Sequence, residues 1–382
     1  MTLAEIFESL LAIPSPSRRE KRLAQRVGKF ALDLGFAVEE DAAAELVKGD
    51  SGNLFVRLPA RLPAGAGQRG AIVICSHLDT VETGERPVNF RFENGEYFSD
   101  GQSILGADCK AGIACMLHLL QRLSRDASVQ HPELRFIFTI CEETELLGGK
   151  FLPDAWLAGA AMAYAVDHGN PFEIVRGAPS KKSFHILACG IGGHAMAPER
   201  RINAAHLLAT ACSRLPQGRL DEASTCNLGI LRSGTAINVI PAEAVAEYEL
   251  RSHDSRRLEF HAARIREILE HAASEARIMP PGECEQRCAE IHIREELCYH
   301  AYRLADGEPV LERARAAVEA VCGRAPEMRV GQGGSDANAF NRRGVPSCVV
   351  GCGMHGAHSF RERAVLAEME QGAEILWRLA TS

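Results

Sequence analysis

The chain has 382 residues, 46% of them hydrophobic and 24% charged, with a formal net charge of −7. At about 150 residues per domain this means two to three domains or one large one, with enough apolar material for a sizeable core. That balance excludes disorder, collagen and coiled coil as the main architecture. The mild acidity, with no Lys/Arg block, argues against a nucleic-acid partner.

Thr2 and Glu5 form a capping-box pattern ahead of Leu3, Ile6, Phe7, Leu10 and Leu11, which recur at helical spacing. Glu5 and Glu8 break the uniform apolarity that a signal peptide needs, so export is not expected. Leu23, Val27, Phe30 and Leu34 predict a second helix, closed by Gly35. The Arg-rich stretch 18–26 also carries Glu20 and reads as a solvated face. A loop-rich segment follows, with Pro59, Pro63, Gly65 and Gly67.

From there short apolar runs alternate with helical periods. Residues 71–75, 134–140 and 161–166 predict buried strands, and 110–123 the helix between the first two. The longest apolar runs, 71–75 and 158–166, fall far short of the roughly 18–20 residues of a membrane helix. The alternation predicts an α/β sheet covered on both faces. Beyond Pro179 the order becomes strand 182–189, helix 203–214, strands 226–232 and 244–251, helix 256–276 and strand 287–293. This is the ferredoxin-like order of a compact inserted α+β domain. The first pattern then resumes with helix 309–322, strand 347–351 and helix 363–380. The expected division is residues 1–179 and 296–382 as one discontinuous domain and 180–295 as the insert.

In such sheets ligands bind beyond the carboxyl ends of the strands. His77 and Asp79 follow the first strand, Glu142 and Glu143 the second, and Asp167 and His168 the third. His355 and His358 follow the last, and Asp108 precedes the helix 110–123. Imidazoles with several carboxylates suit zinc, cobalt or manganese, and the number of candidates suits two ions sharing one carboxylate. His77 and Asp79 lie two apart, so Asp79 can hold the far ring nitrogen of His77. Of Glu142 and Glu143, one can bind metal and the other act as general base. A serine nucleophile is disfavoured. No His precedes Ser51 in Gly49-Asp50-Ser51-Gly52, and Gly333-Gly334-Ser335-Asp336 lacks the second glycine of a nucleophile elbow. The thirteen cysteines include no C-x-x-C and read as reduced thiols of a cytoplasmic protein. Cys75, Cys109 and Cys141, beside candidate ligands, read as small packing residues.

The motifs resemble the di-zinc metallopeptidases of the peptidase T / aminoacylase / glutamate carboxypeptidase superfamily, peptidase T-like proteins above all. They are Ser76-His77-Leu78-Asp79-Thr80-Val81, Leu105-Gly106-Ala107-Asp108 with Lys110-Ala111-Gly112, Glu142-Glu143, Asp167, and His358-Ser359 with Glu362. The resemblance implies a zinc-exopeptidase-like catalytic domain with an inserted lid, and a homodimer formed through that lid. It implies one metal on His77, Asp108 and Asp167 and a second on Asp108, Glu143 and His358. Glu142 would deprotonate the bridging water and later protonate the leaving amine, with Asp79 as supporting catalytic residue.

In the lid, His194 of Gly192-Gly193-His194-Ala195 would hold the substrate carbonyl, in cis or from a partner subunit. Asn238 and Arg251 would contact substrate, although Arg251 also fits a simple surface ion pair. Gly333 and Gly334 would line the cleft. Asp at position 167 goes with aminopeptidases and dipeptidases in this family, and Glu there with carboxypeptidases and deacylases. The expected substrate is a short peptide, with neither nucleic acid nor membrane as partner. An N-acyl-amino-acid amidohydrolase or carboxypeptidase of the same fold is the alternative, and a non-catalytic metal-binding module the alternative of another class. Cys109, Glu145, Arg201 and His168 depart from the family pattern, and His168 and His355 are candidates for extra ligands.

Overall fold

The computed structural model describes residues 1–62, 70–81 and 88–381. Pro63, Gly65 and Gly67 of the loop-rich segment lie outside the described residues. The chain divides into two compact units, Met1–Ala178 with Tyr302–Ser382, and Pro179–Ala301. The second stretch of the first unit starts at Tyr302, not at residue 296. The strand expected at 287–293 runs instead over Glu290–Tyr299, and Arg287–Cys288 pairs separately with Arg277–Ile278.

Among its described residues the first unit is built on an eight-stranded sheet. Its order is Val38–Glu40, Leu54–Leu58, Leu134–Thr139, Ala71–His77, Ala160–His168, Ser347–Gly351, Glu173–Val175 and Glu327–Arg329. Four neighbours run parallel, Leu134–Thr139, Ala71–His77, Ala160–His168 and Ser347–Gly351, so their carboxyl ends lie along one edge. The remaining pairings include antiparallel ones, which makes the sheet mixed. Successive residues alternate between two cores, as the period of a strand demands. Ile72, Ile74, Phe136 and Phe138 pack with the terminal helices and with Ala107–Arg125. Val73, Cys75 and Ile137 pack with Trp156 and Phe340 on the other face.

The first helix, Leu3–Leu11, carries the expected capping box, with Thr2 and Glu5 hydrogen-bonded reciprocally. The helix Ala107–Arg125 is buried along nearly its whole length. It lies hard against the strands, because a Cβ on Gly112 would stand 2.3 Å from the Val166 carbonyl oxygen. The helix expected at 363–380 starts only at Leu366. Arg363–Val365 instead joins a four-stranded sheet with Met354–His355, Glu96–Ser99 and Phe90–Glu93. Main-chain pairing with the distant Tyr97 region overrides the local helical pattern there.

The second unit holds four long antiparallel strands in the order Ser224–Ser233, Glu243–Ser252, Ser180–Cys189 and Glu290–Tyr299. With helices Ala204–Arg214 and Ser255–Glu275 this is the ferredoxin-like connectivity. Its core is Phe184, Ile186, Ala246, Tyr248 and Leu250 against Leu208, Leu258 and Ile265. Among the described residues, no helix is long and apolar enough to cross a membrane.

Candidate metal centre and active site

The strand ends of the first unit bring six of the expected residues together. His77 ends Ala71–His77, and its Nε2 lies 3.1 Å from Asp108 Oδ1 and 3.5 Å from Asp167 Oδ1. His358 Nε2 lies 3.2 Å from Asp108 Oδ2 and 2.8 Å from Glu143 Oε1. Asp108 therefore turns one oxygen to each of two histidines. The candidate ligand atoms of His77, Asp108 and Asp167 lie within 4.8 Å of one another, and so do those of Asp108, Glu143 and His358. Donors about 2.0–2.1 Å from a tetrahedral cation stand about 3.3 Å apart, so these spacings suit a divalent cation at each cluster, with Asp108 common to both. Glu142 also falls in a cluster with His77 and Glu143.

The electrostatics fit the same occupancy. Burial drives Asp167 up to about 7, opposed by His77 and reinforced by Asp108 and Glu143. Burial likewise raises Glu142 well above the carboxylate range, and the charges of Asp167 and Glu143 add to it. Hydrogen bonds to Asp108 and Glu143 raise His358 to about 10. Asp108 is the exception: burial raises it, but the hydrogen bonds of His358 and His77 hold it well below the usual carboxylate range. The crowded carboxylates form a concentration of negative charge for which protons and a divalent cation compete.

The surrounding contacts orient these groups. His77 Nδ1 lies 2.8 Å from the main-chain oxygen of Asp79, whereas the Asp79 carboxylate stands 3.6 Å away. The expectation that the carboxylate holds this nitrogen is thus corrected. The Asp79 carboxylate is engaged elsewhere: it accepts from the Glu142 and Glu143 amides at 2.8 and 3.1 Å and from the Ser17 hydroxyl at 2.7 Å. Glu362 accepts from the Gly106 and Asp108 amides at 2.7 and 2.9 Å. Asp336, of the glycine-rich loop that holds Gly333 and Gly334, is buried and accepts from Thr139 Oγ1 at 2.5 Å.

His168 and His355 pair with Glu173 and Glu368, and neither joins a metal cluster among the described residues. Cys109 Sγ does lie within the His77–Asp108–Asp167 group. It donates to the Val166 carbonyl, and burial raises its pKa well above the ordinary thiol value. Burial raises Cys75 and Cys141 likewise. Ser51, of the serine-protease-like tetrapeptide, donates to Glu40.

Three expected residues belong to the second unit. His194 is exposed on the short strand Gly193–His194, paired with Val239–Ile240. The Ala195 amide donates to the Asn238 carbonyl, which places His194 and Asn238 side by side. The Arg251 guanidinium donates to Glu249 at 3.1 and 3.2 Å. Sequence reasoning missed Glu20, expected on a solvated face. It is fully buried, and Oε1 accepts from the amides of Arg18 and Cys141. It also missed Asn53, which accepts from the Ile140 amide at 2.9 Å. Neither residue lies in a motif, and no local signal marks them.

A two-histidine, multi-carboxylate centre at the strand ends of a mixed α/β sheet defines a metallohydrolase. The sequence profile of peptidase family M20/M25/M40 matches residues 73–382, and the chain belongs to that family. It is 28% identical to a tripeptidase from Staphylococcus aureus, with a TM-score of 0.86 over 99% of this chain and 97% of that one. It is 30% identical to the aminopeptidase PepT from Bacillus cereus, with a TM-score of 0.81 over the same shares. Among curated sequences, the uncharacterized protein YqjE of Bacillus subtilis is 32% identical over 98% of this chain and 96% of its own. The family and the peptidase T-like character read from the motifs are borne out, and the protein is a hydrolase acting on peptide bonds.

Proposed function

We propose that the protein is a di-metal exopeptidase that cleaves short peptides from the amino end. Asp108 carries this reading, because its two oxygens face two different histidines beside Glu142. When bound, two divalent cations, zinc or else cobalt or manganese, polarise the scissile carbonyl and acidify the attacking water. His77, Asp108 and Asp167 would hold one cation, and Asp108, Glu143 and His358 the other. Glu142 takes the proton of the attacking water and hands it to the leaving amine. Asp79 fixes the main chain of Glu142 and Glu143 while it does so. By the family resemblance, His194, Asn238, Arg251, Gly333 and Gly334 would serve the substrate, and the second unit would act as lid and dimerisation domain. Asp at position 167 and the peptidase T-like relatives support action at the amino end, and the free thiols support a reducing, cytoplasmic setting.

Purified protein supplied with Zn, Co or Mn is expected to hydrolyse di- and tripeptides faster than N-acyl amino acids. Glu142→Ala is expected to keep its metals and lose about 10²–10⁴-fold in kcat. Full activity in that variant would sink the mechanism. Turnover restricted to N-acyl amino acids would move the reading to an amidohydrolase. Two bound metals without turnover of any amide would leave a metal-binding module.

A further inference from the structure

The family profile starts at residue 73, yet part of the active site is held from before it. Four consecutive amides, at Ile140, Cys141, Glu142 and Glu143, donate to side chains from three other segments. The acceptors are Asn53 Oδ1, Glu20 Oε1, and the two Asp79 oxygens. The amides thereby fix the direction in which the main chain presents Glu142. Cys141 has φ of 50°, a left-handed conformation that a non-glycine residue keeps only when its surroundings impose it. Glu20 supplies part of that constraint, taking both the Cys141 amide at 3.0 Å and its thiol at 3.3 Å.

The arm that carries Glu20 is itself pinned along its length. Lys110 Nζ donates to the Ile13 carbonyl at 2.7 Å, and the Thr80 amide to the Ser15 carbonyl at 2.9 Å. Ser17 donates to Asp79 Oδ2 at 2.7 Å, the oxygen that also accepts from the Glu143 amide. Each anchor residue beyond the arm, Lys110, Thr80 or Asp79, stands within three positions of a candidate ligand. Burying a carboxyl at 0% exposure is costly unless it is hydrogen-bonded, and in Glu20 that falls to Oε1, since Oε2 has no hydrogen-bond partner among the described residues.

We propose that Ser17 and Glu20, on the arm between the first two helices, are positioning residues that aim Glu142 at the attacking water. The inference rests on the reading of Glu142 as general base. What matters at position 20 is one acceptor oxygen facing the Cys141 amide, not the negative charge. At position 17 it is one donor to Asp79. Neither residue belongs to a candidate metal cluster among the described residues, so their loss should slow turnover without weakening the binding of substrate or metal.

The test compares Glu20→Met, Glu20→Gln and Ser17→Ala in the metal-loaded enzyme, with Glu142→Ala as control. Readouts are kcat, KM, bound metal per chain and Tm. Glu20→Met is similar in shape but replaces the acceptor oxygen by a weakly accepting thioether, and it is expected to lower kcat about 10- to 100-fold with KM and metal content unchanged. Glu20→Gln keeps the acceptor and should restore kcat to within a few-fold of wild type. Ser17→Ala, at the half-buried end of the arm, should lose about 2- to 10-fold in kcat at unchanged KM and Tm. Wild-type kcat in Glu20→Met would overturn the proposal, as would equal loss in Glu20→Gln. If Glu20→Met does not fold, Ser17→Ala decides: the expected kcat loss supports the proposal and wild-type kcat overturns it. An active Glu142→Ala would instead overturn the underlying reading of the base.

Discussion

Glu362 offers a sharp test of how Asp108, the proposed bridging ligand, is held. It is 1% exposed, and each of its oxygens has a separate duty, Oε2 with the Gly106 amide and Oε1 with the Asp108 amide. Hydrogen bonds to a charged group contribute about 1.5–3 kcal/mol each, so the pair is worth about 3–6 kcal/mol gross. Burial offsets part of this, since it drives the Glu362 carboxyl up to about 7 against the amides that pull it down. A net loss of about 2–4 kcal/mol in stability is expected for Glu362→Ala. Glu362→Gln should not rescue it. An amide has one acceptor oxygen, so its NH₂ would face one of the two donors.

The consequence for metal follows from Asp108. Its oxygens point to His77 and to His358, so a displaced main chain at 108 disturbs both clusters. Loss of such a supporting contact typically costs 10- to 100-fold in metal affinity. Competition with a chromophoric chelator, followed for each metal equivalent, would measure it. Both equivalents should weaken in both variants. Wild-type affinity in either variant would refute the reasoning. Weakening of one equivalent only would trace the effect to the 358–362 loop, where the Glu362 amide donates to the Ser359 carbonyl, and not to Asp108.

Other expectations concern the surroundings of the site. Burial, with the charge of Asp79, raises Glu20 from 4.5 to about 7. The folded protein therefore keeps a proton between those values that the unfolded chain has lost, so stability falls as pH rises through that window. The gap corresponds to about 3 kcal/mol, and urea melts of metal-stripped wild type and Glu20→Gln should diverge by about that much between pH 4 and pH 8, to the variant's advantage. A difference independent of pH would contradict it. Cys75, Cys109 and Cys141 are buried, whereas Cys284 and Cys288 are exposed. Iodoacetamide on the native protein should label the latter two first, and rapid labelling of Cys109 would refute the packing described here. Gly112→Ala would place a methyl 2.3 Å from a backbone oxygen, which cannot yield as a side chain would. It should lower Tm and, because Asp108, the proposed bridging ligand, lies in the first turn of that helix, metal affinity with it.

The parts of this site that were legible in the sequence share a physical origin. Ala71–His77, Leu134–Thr139 and Ala160–His168 are buried parallel strands, so each shows as an apolar run that stops where the chemistry starts. His77, Glu142 and Asp167 sit at those stops, and Asp108 at the start of the helix between two of them. The ferredoxin-like insert was legible for the same reason, since its strands bury alternate residues over their length. Arg363–Val365 was not. Three residues carry no period of their own, and Ala364, Val365 and Leu366 continue smoothly into the apolar pattern of the helix that follows. Pairing with Met354–His355 on one side and with Glu96–Ser99, more than 260 positions away, on the other makes them a strand.

The residues that hold the main chain beside Glu142 were hidden for a related reason. A metal ligand must be a particular side chain at a strand end, which leaves a motif. A residue that holds a main-chain amide needs only one acceptor atom in the right place, from any segment that passes by. Glu20 reaches Cys141 across 121 positions and Asn53 reaches Ile140 across 87, and neither spacing recurs in any pattern. Charge made Glu20 harder still to see, because an acid among Arg18, Arg19, Lys21 and Arg22 is expected to be solvated. Its full burial reverses that reading. A carboxyl carried out of water by the fold, accepting from the amides of Arg18 and Cys141, is placed to fix the main chain next to Glu142, the proposed general base.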